Sequence, residues 1–243
     1  MSGTIEITNF SKSYGSVRAV EEFSLKIESG ELFGLIGPDG AGKTTTMRTL
    51  CTLLNCDHGE MLVDGRDVRS NVSYIRSILG YMPQRFSLYP DLSVEQNLNF
   101  FADLFGVPKH EKEDRLTRLY QFSKLEPFKK RLASALSGGM KQKLALSCTL
   151  IHTPRILILD DATSSVDTLT EETILTNLRT MRRNRTTLIV THRVSTARQA
   201  DRILIMANGR VVESGRHEDL LALGGYYAQL YHKQLIEAEL ESV

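Results

Sequence analysis

Gly37-Pro38-Asp39-Gly40-Ala41-Gly42-Lys43-Thr44 is the stretch that decides the fold. It fits the pattern G-x-x-x-x-G-K-[ST], a loop that cradles phosphates. Its setting fits as well. Residues 31–36 read as a buried strand before it, and a helix is predicted from residue 42 to about residue 54 after it. Glycines let the backbone curl without Cβ clashes, so successive N–H groups converge on one anion. The helix N-terminus adds the positive end of its dipole. Gly37, Asp39, Gly40, Ala41 and Gly42 form the cradle. Lys43 is expected to reach the β- and γ-phosphates of a nucleotide, Thr44 to place its hydroxyl on Mg2+, and Thr45 to bond the α-phosphate. An ordinary glycine turn is the competing reading, and the flanking strand and helix argue against it.

A triphosphate carried with magnesium needs a second anchor. Ile156-Leu157-Ile158-Leu159-Asp160 is an apolar run ending in an acid. In an open parallel sheet the carboxyl ends of the strands face one crevice. Asp160 is therefore expected to hold the metal through water. Asp161, next along, is the candidate to polarise an attacking water, with a solvated turn residue as the alternative.

Working outward, Ile5, Ile7 and Phe10 sit among polar residues, and Phe23, Leu25 and Ile27 alternate with them. The first 36 residues thus read as strands. Residues 60–63 read as a strand ending at the Asp64-Gly65 turn. The texture changes between residues 94 and 151. Residues 94–105, 112–123 and 139–151 carry helical spacing, broken by Pro108, Pro127 and Ser137-Gly138-Gly139. Strands return at residues 155–159, 187–190 and 202–206, in alternation with helices. That alternation implies βαβ units around a parallel sheet. The expected class is α/β, with an antiparallel β portion at the start and an inserted α-helical subdomain. Residues 1–243 read as a single domain. Residues 1–85 and 153–223 make the core with its β portion, 86–152 the helical subdomain, and 224–243 a C-terminal helix.

The composition sets bounds. The 243 residues hold 30 basic against 29 acidic side chains, a net charge of +1. Such balance excludes a bulk cation built for nucleic acid or anionic lipid. A globule of this length buries roughly 70% of its unfolded surface and needs no staple. No run approaches the roughly 18 apolar residues of a membrane span, and Met-Ser-Gly-Thr at the start lacks an apolar signal core. Cys51, Cys56 and Cys148 are an odd set without Cys-x-x-Cys spacing, so reduced thiols in a cytosolic protein are expected.

Leu136-Ser137-Gly138-Gly139-Met140-Lys141-Gln142 precedes Asp160 by about twenty residues. Ser137-Gly138-Gly139 at a helix start is a second anion site, with a plain N-capped helix as the alternative. The segment resembles the signature motif LSGGQ of ABC ATPases, with Met140 in the Gln position. Other pieces match in order. Tyr14 resembles the aromatic that stacks on adenine, Gln84 in Tyr81-Met82-Pro83-Gln84 the Q-loop glutamine, Ser165-Val166-Asp167 the D-loop, and His192 the switch histidine. The resemblance implies a RecA-like P-loop core and hydrolysis of ATP to ADP and phosphate with Mg2+. It implies that Thr44, Gln84 and Asp160 hold the metal, while Asp161, His192, Gln84 and Lys43 serve the reaction. Ser137, Gly138 and Gly139 are then expected to close over the ATP of a second ABC subunit, head to tail. Transmembrane subunits would convert that closure into export, with this chain cytoplasmic at the inner face of the membrane.

Two departures stand out. The residue after the strand-ending Asp is usually Glu in the family; here it is Asp161, one methylene shorter. A general base must lie within about 3 Å of its proton or act through water, so slow hydrolysis is expected. The two parts also look like different branches. Residues 1–153 resemble ATPase subunits of drug-efflux systems, and residues 155–243 resemble the ATPase domain of fused exporters. A recombined chain joined near residues 151–155 is one reading, a natural intermediate sequence the other.

The remaining signals are bland. The charged runs at residues 109–112 and 129–131 read as solvated faces, and Arg179, Arg182, Arg183 and Arg185 as a helix end. Phe100, Phe101, Leu104 and Phe105 form a helical stripe, read as core, with a groove for a membrane partner as its rival. The histidines show no metal spacing, and no nucleic-acid partner is expected. Two other classes remain: an ABC ATPase of nucleic-acid repair or translation, and a non-catalytic module gated by nucleotide. The first usually carries coiled-coil insertions, zinc modules or a second cassette, and none fits this sequence.

Overall fold

The computed structural model describes residues 3–84, 87–161, 176 and 185–241. In chain order, β1 (Ile5–Tyr14), β2 (Val17–Ile27) and β3 (Leu32–Ile36) lead through the glycine loop into α1 (Lys43–Leu50). There follow β4 (His58–Val63), β5 (Arg66–Asp67), α2 (Val72–Ile78) and β6 (Leu79–Met82). Helices α3 (Val94–Leu104), α4 (Lys109–Ser123) and α5 (Gly138–Leu150) come before β7 (Ile156–Asp160) and β8 (Thr186–Thr191). A short helix, Val194–Ala197, is followed by β9 (Arg202–Ala207), β10 (Arg210–Gly215) and the helices His217–Leu223 and Tyr226–Glu241.

Among the described residues the strands make two sheets. The first runs β2-β1-β4-β5 and is antiparallel throughout. The second runs β10-β9-β3-β8-β7-β6, parallel except for the edge strand β10. A sheet covered on both faces needs strands that are apolar on both sides. β3 and β7 meet that demand, with all five residues of each buried. Alternation then assigns the faces. Phe33, Leu35, Ile156, Ile158, Leu188 and Val190 pack toward the antiparallel sheet. Leu157, Leu159 and Ile189 pack toward α3, α4 and α5. Each such aliphatic side chain contributes about 1.5–3 kcal/mol of burial. The α/β class and both sheet types follow the sequence expectation.

Several details differ from the sequence reading. Helix α1 ends at Leu50 rather than near Leu54, because Cys51 donates to Met47 O and Thr52 turns to a φ of 60°. Helix α4 starts at Lys109, inside the run read as a charged surface. Strands β6 and β10 and helix α2 were not predicted as such. The aromatic stripe divides: Phe101 packs against the helical core, but Phe100, Leu104 and Phe105 are exposed. Phe101 and Phe105 instead edge a hollow of about 130 Å³ beside Met82, Leu88 and His152. Reading these residues as core followed their helical spacing; α3 buries only Val94, Asn97, Leu98 and Ala102. The D-loop reading at Ser165-Val166-Asp167, and Arg179, Arg182 and Arg183, fall outside the described residues.

Residues 151–155, where the two sequence textures meet, are bonded on both sides. Arg115 Nη1 donates to Ile151 O at 2.9 Å, Arg155 N to Ile78 O at 2.8 Å and Arg185 Nε to Pro154 O at 2.9 Å. His152 stacks on Phe105 with ring centroids 4.1 Å apart. A Cβ on Gly80 would meet Pro154 Cγ at 2.9 Å, so the strand and the joint are in close contact. The idea of a join therefore rests on sequence texture alone.

Candidate functional site

The glycine loop connects β3 to α1, and its glycines are required sterically. A Cβ on Gly37 would lie 2.0 Å from Met206 O. Gly42 has a φ of 100°, and a Cβ there would lie 2.5 Å from Ala19 O. Helix α1 starts at Lys43 with no side-chain cap and no acid in its first turn, which leaves its N-terminal dipole open to an anion. Pro38, Asp39, Gly40 and Thr44 are exposed, while Gly37 and Ala41 are buried. The Lys43 ammonium is buried and donates to Gly37 O at 2.7 Å and Pro38 O at 2.9 Å. Burial pulls its pKa down, and Asp161, Asp39 and Asp160 oppose that pull. Thr45 is half-buried beside them on α1.

Asp160 ends β7 facing this loop. The residue is 3% exposed, and burial pushes its pKa up. Thr44 Oγ1 donates to Oδ1 at 3.4 Å, and Tyr81 Oη donates to Oδ2 at 2.9 Å. Burial, then the charge of Asp160, raises the Tyr81 phenol well above its usual range, so it remains a donor. Hydroxyl and carboxylate oxygens are the donors Mg2+ prefers, so Thr44 and Asp160 fit that ion. A cation there would also offset the cost of burying the carboxylate.

Asp161 follows with a φ of 49° and its N–H bonded to Val190 O at 2.8 Å. This turn sends its carboxylate to His192, whose Nδ1 lies 3.0 Å from Oδ1 and 3.1 Å from Oδ2. The bond raises the His192 pKa, with burial acting against it. The backbone around His192 is held in turn. Gln234 on the helix Tyr226–Glu241 donates from Nε2 to His192 O at 2.7 Å and accepts from Val194 N at 2.8 Å.

The structure thus joins five expected residues, Lys43, Thr44, Asp160, Asp161 and His192, in one cluster. Tyr14, Gln84, Ser137 and Gly138 stand exposed at the surface, and Gly139 is half-buried. Ser137 caps α5, its Oγ accepting from Met140 N at 3.4 Å, while Leu136 is buried. The signature segment is therefore presented outward on a helix start. Tyr81 and Gln234 were missed. Neither carried a sequence signal: Tyr81 sits on a strand too short to read, in a register only the fold sets, and nothing local marks Gln234.

The chain matches the family described as ABC transporter over residues 20–164. It belongs to that family. It is an ABC transporter ATP-binding domain with the RecA-like P-loop fold, homologous to exporter ATPases. Among its relatives is the probable multidrug ABC transporter ATP-binding protein YbhF of Escherichia coli (strain K12), 37% identical over 219 residues. That match covers 90% of this chain and 38% of YbhF. The ATP-dependent lipid A-core flippase of Pseudomonas fluorescens (strain Pf0-1) is 35% identical over 240 residues, 95% of this chain and 40% of the flippase. The chain thus spans about two fifths of the length of either relative, and each match runs through both parts of it. A bacterial Atm1-family ABC exporter solved with ATP bound superposes with a TM-score of 0.87 at 28% identity, over 96% of this chain and 42% of the exporter. An ATP-binding subunit of an ABC transporter gives a TM-score of 0.84 at 27% identity, over 94% and 98% of the two chains. Among the described residues no helix is long and apolar enough to cross a membrane.

Proposed function

We propose that this chain is a magnesium-dependent ATPase cassette that pairs head to tail with a second cassette and drives export through membrane partners. One observation carries the reading: Thr44 and Asp160 meet at the phosphate loop, with Asp161 and His192 beside them. The loop amides and Lys43 grip the phosphates. Thr44 and Asp160, with Gln84 from the surface loop, would hold the metal, which would supply neutralisation of phosphoryl charge when bound. Asp161 orients the attacking water, and His192 and Gln84 respond to the γ-phosphate. Tyr14 stacks on the adenine. Ser137, Gly138 and Gly139 cover the nucleotide of the opposite copy. In this reading residues 1–85 and 153–223 bind nucleotide, 86–152 form the arm that presents the signature segment, and 224–243 brace the switch loop. The cassette works at the cytoplasmic face of a membrane.

Asp161 also favours slow turnover. Its short side chain has both oxygens within reach of one imidazole nitrogen, so freeing it toward water costs that bond. Phosphate release measured with and without Mg2+ tests the reading. Turnover that needs Mg2+ and vanishes in Lys43→Ala supports it. Nucleotide binding with no phosphate release in the wild type would instead favour a gated, non-catalytic module.

A further inference from the structure

Tyr81 lies on β6, three residues before Gln84. β6 is the edge strand of the parallel sheet, and Tyr81 pairs with Ile158 on β7. Side chains alternate along a strand, so neighbours in register share a face. Met82 accordingly turns into the helical core with Leu159, while Tyr81 turns to the face of Ile158 and Asp160. The phenol ends 2.9 Å from Asp160 Oδ2. The other carboxylate oxygen, Oδ1, is the one that faces Thr44. The two oxygens thus have separate partners on opposite sides.

A carboxylate turns easily about its last bond, and two hydrogen bonds to opposite oxygens fix that turn. The nature of the second donor matters too. A lysine or arginine at this position would neutralise Asp160 and compete with a cation. A phenol donates one hydrogen bond and adds no charge, so the anionic character of Oδ1 is kept. Partners of this kind, behind the residues that touch a metal, commonly set its affinity.

We propose that Tyr81 is a positioning residue for the metal: it holds Asp160 with Oδ1 turned to Thr44, and it ties that anchor to the strand running into Gln84. The inference rests on the reading of Thr44 and Asp160 as the pair that holds Mg2+. Tyr81→Phe isolates it, because the ring keeps its packing and only the hydroxyl is lost.

The experiment is equilibrium binding of a fluorescent ATP analogue to the purified chain, in EDTA and across a Mg2+ series, with a melting curve for each variant. Thr44→Ala is run beside Tyr81→Phe. Losing one hydrogen bond of ordinary net strength predicts that the Mg2+ concentration for half-maximal tightening rises about threefold to tenfold in Tyr81→Phe. Affinity in EDTA is expected to change by less than about twofold on the same grounds. If Thr44→Ala raises the Mg2+ requirement and Tyr81→Phe does not, the inference about Tyr81 is overturned and the site reading stands. Equal weakening of Tyr81→Phe in EDTA and in Mg2+ marks a merely structural tyrosine and overturns it too. A wild-type chain whose nucleotide affinity ignores Mg2+ overturns the site reading, and the inference with it.

Discussion

Asp161 is fixed at its backbone and short at its tip. The positive φ and the bond from its N–H to Val190 O leave only one carbon between a pinned Cα and the carboxyl carbon. His192 takes up what reach remains. Asp161→Glu adds the methylene that lets a carboxylate touch both the imidazole and a water. Turnover of the purified chain in Mg2+ is expected to rise by about tenfold, a fraction of the roughly hundredfold or more that a full general base contributes, because Asp161 already supplies a carboxylate. An unchanged or lower rate counts against the slow-base reading. The same pair predicts a pH effect. His192 is raised above the ordinary imidazole value because Asp161 accepts its Nδ1–H. Its stabilising contribution is complete below about pH 6.5 and fades as pH rises through the raised value. Asp161→Asn removes the charged acceptor, so an NMR titration of His192 is expected to move down toward the ordinary range. A titration that stays put would assign the raised value to some other cause.

At the scale of elements, the sequence exposed whatever is periodic and hid whatever is short or distant. β3 and β7 were legible because strands buried on both faces leave unbroken apolar runs. The loop was legible because its glycines are steric necessities in a fixed spacing. β6 was not, since it has only four residues, one of them Gly80. The start of α4 was lost because Lys109–Ser123 buries only Leu119, Tyr120 and Ser123, leaving a solvated first half without an apolar stripe. Gln234 is the extreme case. Its partners lie 40 and 42 residues away, and nothing local marks a glutamine that grips a backbone. The grip has a measurable consequence. Gln234→Ala leaves His192 O and Val194 N without those bonds, a loss of about 1–2 kcal/mol. In a domain of this size that lowers the melting temperature by roughly 3–6 °C. Hydrogen exchange at the Val194 amide is expected to speed up as well. Gln234→Glu keeps an acceptor for Val194 but sets an oxygen against His192 O, so it is expected to rescue little. A Glu variant that melts like the wild type would show that only the Val194 bond matters.

For the molecule as a whole, the proposed head-to-tail pairing would complete the cluster at the phosphate loop with a segment of a second copy. Ser137 and Gly138 stand exposed at the start of α5, capped locally by Ser137 and free of acids in the first turn. An exposed helix start of this kind suits a phosphate brought from outside. Two copies arranged head to tail would place two such starts over two bound nucleotides, so ATP would sit between them as a shared ligand. Binding energy of that origin is linked to nucleotide concentration by mass action. Size-exclusion chromatography of the purified chain is therefore expected to show doubling in Mg-ATP and a single copy without nucleotide. The mass shift should be clearest in Asp161→Asn, which binds nucleotide while turning it over least. Gly138→Asp tests the geometry: a carboxylate at the helix start repels the incoming phosphates and is expected to abolish doubling, while a single copy still binds nucleotide at its own loop. Doubling that survives Gly138→Asp would place the contact elsewhere and detach the signature segment from the nucleotide. A chain that binds Mg-ATP yet stays single would count against the proposed pairing and leave an isolated or defective cassette.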